Sequence, residues 1–303
     1  QDPLATPFHG PAWLVPWAEA FQPETAMAAG LYRGGILVAL LPAFSLAGED
    51  GARRLLPLGA GTTDWLGPVC APGITGADLS PLLAALMAAG GASAVDLPAL
   101  PSGSPLAEIV ASPGWRVTCT TGTGCLAVDL PARPGPGLRQ TLRTARHRLD
   151  RAGPWSIAPV PGAEVADTLP TLFALHAARW RDRGGGVLAD DSVQDFHRRA
   201  APVLTAAGLV RFTLLLLRGQ PVAALYGVQA KGWFHHYIGG MDPAAAPYSP
   251  GTLLIADAME RAAAEGCQVF DFLRGAEAYK SRWGATPRPG LCLTLRREER
   301  PRR

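Results

Sequence analysis

Lysine is almost missing from this chain. Lys231 and Lys280 are the only two among 28 basic residues in 303. Arginine supplies the rest, a bias that reads as that of a GC-rich coding sequence, and the formal net charge is only +3. The arginine content is therefore discounted as a nucleic-acid signal, and no nucleic-acid partner is expected. Long apolar runs are missing as well. Stretches such as residues 36–41 and 214–217 fall far short of the ~18 residues that cross a bilayer, so no transmembrane helix is expected. Cys70, Cys119, Cys125, Cys267 and Cys292 are odd in number, form no CxxC pair and have no histidine nearby at ligand spacing. That argues against a disulfide scaffold and a zinc site, and makes a reducing cytoplasm the expected location, with no metal. The opening Gln1-Asp2-Pro3 does not read as a signal peptide; it resembles a vector remnant and is set outside the fold reasoning.

What is present is a globular composition, 48% hydrophobic and 17% charged, in a chain long enough for about two domains. Pro131, Pro134, Gly135, Pro136 and Gly137 are dense enough to stop helix and strand alike, and they divide the chain into expected halves 4–135 and 136–303. Before the break, residues 30–43 read as a hairpin turning at Arg33, Gly34 and Gly35, with strands near 54–58, 94–97 and 125–130 and a helix over 79–89 capped by Asp78 or Ser80. After it, a basic helix over 138–152 places Arg139, Arg143 and Arg146 on one face, either solvated or turned to an anionic partner. The next helix, 169–182, carries Leu169, Leu172, Phe173, His176 and Trp180 as one stripe, so His176 is either a core histidine or part of a site. Strands over 210–217, 221–229 and 233–239 follow, then a loop, a helix over 253–265, a buried strand over 269–273 and a last strand over 291–296. That order is a mixed sheet with helices on its faces.

Residues 271–285 hold the densest chemistry. Asp271 sits inside an apolar strand, where a carboxylate is expected only with a partner. Arg274, Glu277, Tyr279, Lys280 and Trp283 follow within twelve positions, beyond a strand's carboxyl end, where ligands of open α/β sheets gather. For Asp271 the alternatives are a buried ion pair and a base with a raised pKa. For Glu277 and Lys280 they are a site and a simple i, i+3 pair.

Three segments in order, Leu175-His176-Ala177-Ala178-Arg179-Trp180, then Asp242-Pro243 with Tyr248-Ser249-Pro250-Gly251-Thr252-Leu253-Leu254, then 271–285, resemble the GNAT superfamily of acyl-CoA transferases. More narrowly they resemble its CelD/BcsL-type branch, which pairs two GNAT-like halves as the Fem peptidoglycan aminoacyl transferases do. Leu142, Arg143, Arg146, Arg148 and Leu149 match the basic helix that joins such halves. The likeness covers the C-terminal half almost end to end and the first half loosely. It implies an α/β fold (α+β mixed sheet) of two tandem GNAT-like halves, the N-terminal one degenerate.

The resemblance also implies acyl-CoA as co-substrate and direct attack on its thioester by an amine acceptor, which is a sugar amine, a small amine or a peptide ornithine or lysine side chain. The usual acyl-CoA loop, Gln/Arg-x-x-Gly-x-Gly/Ala, is absent, and Ser249-Pro250-Gly251-Thr252 stands in its place. There, close backbone and helix N–H groups suit a pyrophosphate, and Ser249 with Pro250 equally suits an ordinary helix cap. Ser249, Pro250, Gly251, Thr252, Leu253 and Arg274 are the expected cofactor contacts. Glu277 is the first candidate base, Asp271 the second and His176 the third, with Tyr279 or Tyr237 protonating the thiolate. Lys280, Trp283, Trp180 and Tyr237 are the expected acceptor contacts. Two other function classes compete. One is a Fem-like transferase using aminoacyl-tRNA, whose members often carry a coiled-coil arm for which no heptad segment appears here. The other is a non-catalytic partner in exopolysaccharide or natural-product biosynthesis.

Overall fold

The computed structural model describes residues 2–48, 51–110, 113–275 and 277–298. In chain order its elements are α1 (Pro11–Phe21), β1 (Thr25–Arg33), β2 (Ile36–Ala47), β3 (Arg53–Pro57), β4 (Val69–Cys70), α2 (Gly76–Ala89), β5 (Ala94–Pro101) and β6 (Trp115–Asp129). Then come α3 (Pro136–Ala152), β7 (Trp155–Pro159), α4 (Val165–Trp180), α5 (Asp191–Ala206), β8 (Val210–Leu217), β9 (Gln220–Ala230), β10 (Trp233–Met241), α6 (Pro250–Ala264), β11 (Val269–Arg274), α7 (Ala278–Ser281) and β12 (Thr286–Arg297). Two compact units divide them: one holds the chain up to Gly124 and again from Pro289, the other Cys125–Arg288. This division differs from the expected halves 4–135 and 136–303. The proline–glycine stretch lies within the second unit and leads into α3, where Pro136 takes the first turn, a place that needs no N–H. The closing strand belongs to the first unit because its partners are on β5, from Gly290↔Pro101 to Arg296↔Ala94.

In the first unit β1, β2 and β3 run antiparallel in sequence, β3 is parallel to β5, and β5 is antiparallel to β12. The β1–β2 turn is Gly34-Gly35 at φ +56° and +79°, a conformation that glycine adopts without strain. Leu79, Leu82, Leu83 and Leu86 of α2 pack with Leu41, Leu55, Val95 and Leu293 in one core. The α2 cap is Thr75, three residues before Asp78, in a reciprocal capping box. The opening residues belong to this unit after all. Asp2 is buried, and its carboxylate accepts from the backbone N–H groups of Leu4 and Cys70, each at 2.7 Å.

In the second unit the strand order is β6, β11, β10, β9, β8, β7. β11 is antiparallel to β6 and parallel to β10, and the remaining pairs are antiparallel. β11 therefore lies inside a mixed sheet, in keeping with its unbroken burial from Val269 to Leu273. The β8–β9 turn is Arg218-Gly219 at φ +53° and +76°. Leu138, Leu142, Ala145 and Leu149 of α3 share a core with Leu253, Leu254, Ala258 and Met259 of α6, which leaves the arginines of α3 facing out. α5 and β7 are elements that the sequence reading passes over. α5 begins at Asp190, whose side chain caps Ser192 N–H, and it buries Val193, Phe196, Ala200 and Leu204. Among the described residues no helix is long and apolar enough to cross a membrane.

Candidate active site

The site starts from a parting of strands. β10 and β11 pair only over Trp233↔Val269, Phe234↔Phe270 and His235↔Asp271. β10 continues to Met241 without a register partner on β11, and its register against β9 shifts between His236 and Ile238, a bulge at Tyr237. A cleft of about 200 Å³ opens there. β10 lines it with His236, Gly239, Gly240 and Met241, α6 with Gly251, Thr252, Leu254 and Ile255, α4 with Arg179 and the last turn with Tyr279.

Glycine makes the geometry possible. A Cβ on Gly240 would sit 2.5 Å from the backbone N of His176, so the glycine lets α4 lie directly on β10 and carries Arg179 to the rim. A Cβ on Gly251 would meet nothing within 4 Å: the backbone there faces open space. Ser249 precedes α6 at φ +47° and its side chain makes no capping bond, so the cap expected of it is not formed. The corresponding helix of the first unit is closed by contrast. Asp78 accepts from Thr75 N and Oγ at 2.9 and 2.8 Å and from Arg33. The Thr75 bonds first and Arg33 after them hold its carboxyl below the usual carboxylate range. A Cβ on Gly76 would strike the Glu108 backbone at 2.7 Å. An internal carboxylate already occupies the place an outside anion would take.

Asp271 has another task than the one expected of a base. Strand alternation turns His235 and Asp271 to one face and His236 and Phe272 to the other. The second pair is in ring contact at 6.0 Å, and His236 lines the cleft. The fully buried Asp271 carboxylate accepts from Leu273 N–H at 2.7 Å and lies 3.4 Å from His235 Nδ1. Leu273 stands at φ +59°, a left-handed conformation that costs a leucine about 1–2 kcal/mol. Asp271 clasps this kink, which bends the chain out of the sheet toward Glu277.

Lys280 holds the same kink from the other side. Its ammonium is 2% exposed, donates to the carbonyls of Leu273, Arg274 and Gly275 at 3.3, 2.7 and 3.1 Å, and pairs with Glu277 Oε2 at 2.8 Å. It is saturated inside the protein, which corrects its expected contact with substrate. Trp283 is likewise in the core. Leu253 buries its side chain there too, and its backbone N–H donates to Ser249 O at 3.3 Å. Trp180 is half-buried against Arg179 and His176, Tyr237 packs on His197 at 5.3 Å, and Arg274 is exposed at the strand end. None of these three is a lining residue of the cleft.

Of the ionisable groups here, Arg179, His236 and Tyr279 line the cleft, while Glu277 and His176 do not. Glu277 is half-exposed, and a Cβ on Gly275 would collide with its carboxylate at 2.5 Å, so that glycine permits its fold-back onto Lys280. Partial burial raises its pKa, but the Lys280 hydrogen bond, its own N–H and the charges of Lys280 and Arg179 outweigh this and hold it below the ordinary value. Tyr279 stands edge-on to Phe272 at 5.9 Å; burial first and Glu277 second push its phenol to about 12. Burial, with Lys280 and Arg179, pushes His236 down to about 3. Burial, with Arg179, pushes His176 to about 4. Arg179 and His236 are the two ionisable lining residues missed by sequence reasoning. The signal for the first was the quoted Arg179-Trp180 pair.

Buried neutral histidines predict an acid response. His176, His197 and His236 have folded pKa values of about 4, 3 and 3 against an unfolded 6.5. A depressed folded pKa means that the unfolded chain binds protons first as pH falls. Stability is thus full above about pH 6.5 and declines through the window down to pH 3–4. His197, boxed in by Phe196, Tyr226 and Tyr237, offers the control: His197→Phe keeps the ring contacts and should shift the acid midpoint in chemical denaturation to lower pH.

The comparisons agree with this geometry. Residues 137–281 match the family model described as Acetyltransferase (GNAT) domain. The match lies within the second unit, covers just under half of the chain, and supports an N-acyltransferase. No curated protein matches the sequence. Among solved structures, FemX superposes with a TM-score of 0.69 at 11% identity, over 97% of this chain and 93% of its own. A conserved protein of unknown function from Bacteroides thetaiotaomicron gives 0.65 at 15%, over 94% and 90%. L-PGS from Bacillus licheniformis gives 0.63 at 14%, over 95% and 88%. At such identities they share a fold with this chain and nothing narrower.

Proposed function

We propose that this chain moves an acyl group from an acyl-CoA thioester to an amine by direct attack, with both substrates bound in the second unit. The observation that carries the reading is the cleft between the parted strands β10 and β11, with an uncapped helix start at one side and Tyr279, His236 and Glu277 near the other. The backbone at Ser249–Leu253 receives the pyrophosphate, because the helix dipole favours an anion and Gly251, whose Cα faces open space, lets it approach closely, although Ser249, Thr252 and Leu253 already donate their N–H groups to the carbonyls of Ala246 and Ser249. Backbone N–H groups of β10 beyond His235 point to the thioester oxygen.

The amine nitrogen attacks the carbonyl carbon and becomes strongly acidic as the new C–N bond forms. A carboxylate of low basicity then suffices to take its proton, and Glu277, open to solvent, passes it to water. The C–S bond breaks, the departing thiolate takes the Tyr279 proton, which that group still holds at neutral pH, and water returns a proton to the phenolate. His236 stays neutral beside the cation-rich site. The motifs of the CelD/BcsL-type branch fall within the matched region, apart from residues 282–285 of the last, and support that narrower kinship. The free cysteines suit the reducing cytoplasm in which acyl-CoA is supplied.

Gly251→Trp tests the cofactor half. The new side chain projects into open space, so the melting temperature should hold while calorimetry shows acetyl-CoA affinity reduced at least ~10-fold, since filling the cleft displaces the backbone hydrogen bonds to phosphate. Unchanged affinity would move the cofactor elsewhere. Absence of acyl-CoA binding by the unaltered protein would favour a Fem-like donor or a non-catalytic role.

A further inference from the structure

Arg179 sits at the rim of the cleft with no carboxylate to answer it. Among the described residues its one ring contact is with Trp180, 5.6 Å from the guanidinium carbon, and no acidic side chain pairs with it. The glycines of β10 leave bare backbone beneath it: a Cβ on Gly239 would lie 3.9 Å from Arg179 Nη1 and 3.5 Å from His236 Nε2. Arg179 therefore stands beside His236. Its field reaches Glu277 and Tyr279, which places it with the reacting groups. The nearby acid, Glu277, is already taken by Lys280 at 2.8 Å. Two cations against one carboxylate leave the reacting end with one positive charge uncompensated.

We infer that the acceptor is an amine that also bears a carboxylate, an amino-acid-type substrate, with Arg179 holding the carboxylate while the amine is offered to the thioester. A guanidinium fork matches a carboxylate with two parallel hydrogen bonds. A zwitterionic acceptor cancels the excess charge, whereas a diamine adds to it and a neutral sugar amine leaves it uncompensated. This inference rests on the acyl-CoA reading of the same cleft and narrows its acceptor from any amine to this class.

The test uses the full chain, acetyl-CoA and matched acceptors: lysine against lysinamide, ornithine against ornithinamide, and glucosamine as a neutral amine. Release of free CoA thiol gives kcat/KM, and calorimetry gives acetyl-CoA affinity independently. The unaltered enzyme should favour each free amino acid over its amide by roughly 10–100-fold, the worth of a charge-assisted hydrogen bond. In Arg179→Met that ratio should collapse toward one, mainly through KM for the acceptor, with acetyl-CoA affinity unchanged. Arg179→Lys should restore part of it, as charge without the fork. Several outcomes overturn the inference: amides or glucosamine preferred by the unaltered enzyme, a ratio that survives in Arg179→Met, or acyl-CoA bound but no carboxylate-bearing amine turned over. Weaker acetyl-CoA binding in Arg179→Met also overturns it, by assigning the guanidinium to phosphate. If acetyl-CoA does not bind at all, the acyl-CoA reading fails first, and the calorimetry shows which of the two has failed.

Discussion

Tyr279→Phe should lower kcat by about 10²-fold while leaving acetyl-CoA affinity and melting temperature in place. The ring keeps its edge-on contact with Phe272, so only the phenol is lost. A positioned acid is worth ~10²–10⁴-fold. The lower end applies because a thiolate, whose conjugate acid has a pKa of about 8.5, departs tolerably without help. Burial and the neighbouring Glu277 push Tyr279 to about 12, so the proton is in place throughout the neutral range. The rate of the unaltered enzyme should accordingly show no loss from this group up to about pH 10. Single-turnover measurement of thiol release separates this step from product release. A variant as fast as its parent would assign the proton to solvent.

Lys280→Met should do the opposite: a large loss of stability first and of turnover as a consequence. Methionine fills much the same volume but leaves the carbonyls of Leu273, Arg274 and Gly275 without their shared donor. Unsatisfied buried acceptors cost about 1–3 kcal/mol each. With part of the group reached by water, a total of about 3 kcal/mol is expected, a fall in melting temperature of roughly 6–12 °C for a unit of this size. The left-handed Leu273 then loses one of its two clasps, and Glu277 loses the partner that orients it. Asp271→Asn, which weakens the other clasp, should also lower stability. A Lys280→Met protein that melts normally yet turns over poorly would return Lys280 to the substrate.

For Asp271 and Lys280 the structure has the paired alternative, and the chain itself shows why their full set of partners was not legible. A charged residue in an apolar strand announces that it needs a partner, and it does not announce which. Asp271 answers to a main-chain N–H two residues on and to His235 across a parallel ladder, which sequence spacing cannot foresee. Lys280 answers to three carbonyls exposed only because Leu273 is left-handed. Trp283 was placed with the substrate by proximity in sequence, and packing drew it into the core with α3 and α6.

The sequence by itself determined α3, α4, β8, β9, β10, α6 and β11 of the second unit, though not β7 or α5, because apolar periodicity, glycine turns and proline starts are local signals. It also carried the segment Ser249–Leu253 proposed for the cofactor and the polar cluster after β11. Tertiary structure alone decided which faces those residues took. The half-turn alternation of a strand sends Asp271 away from the cleft and His236 into it, and only the register between β10 and β11 says where that alternation begins. It decided the site of Arg179 as well, since α4 can lie on β10 only where Gly240 removes the side chain between them. And it returned the last strand to the first unit, because hydrogen-bond partners are chosen by register in space and not by order along the chain.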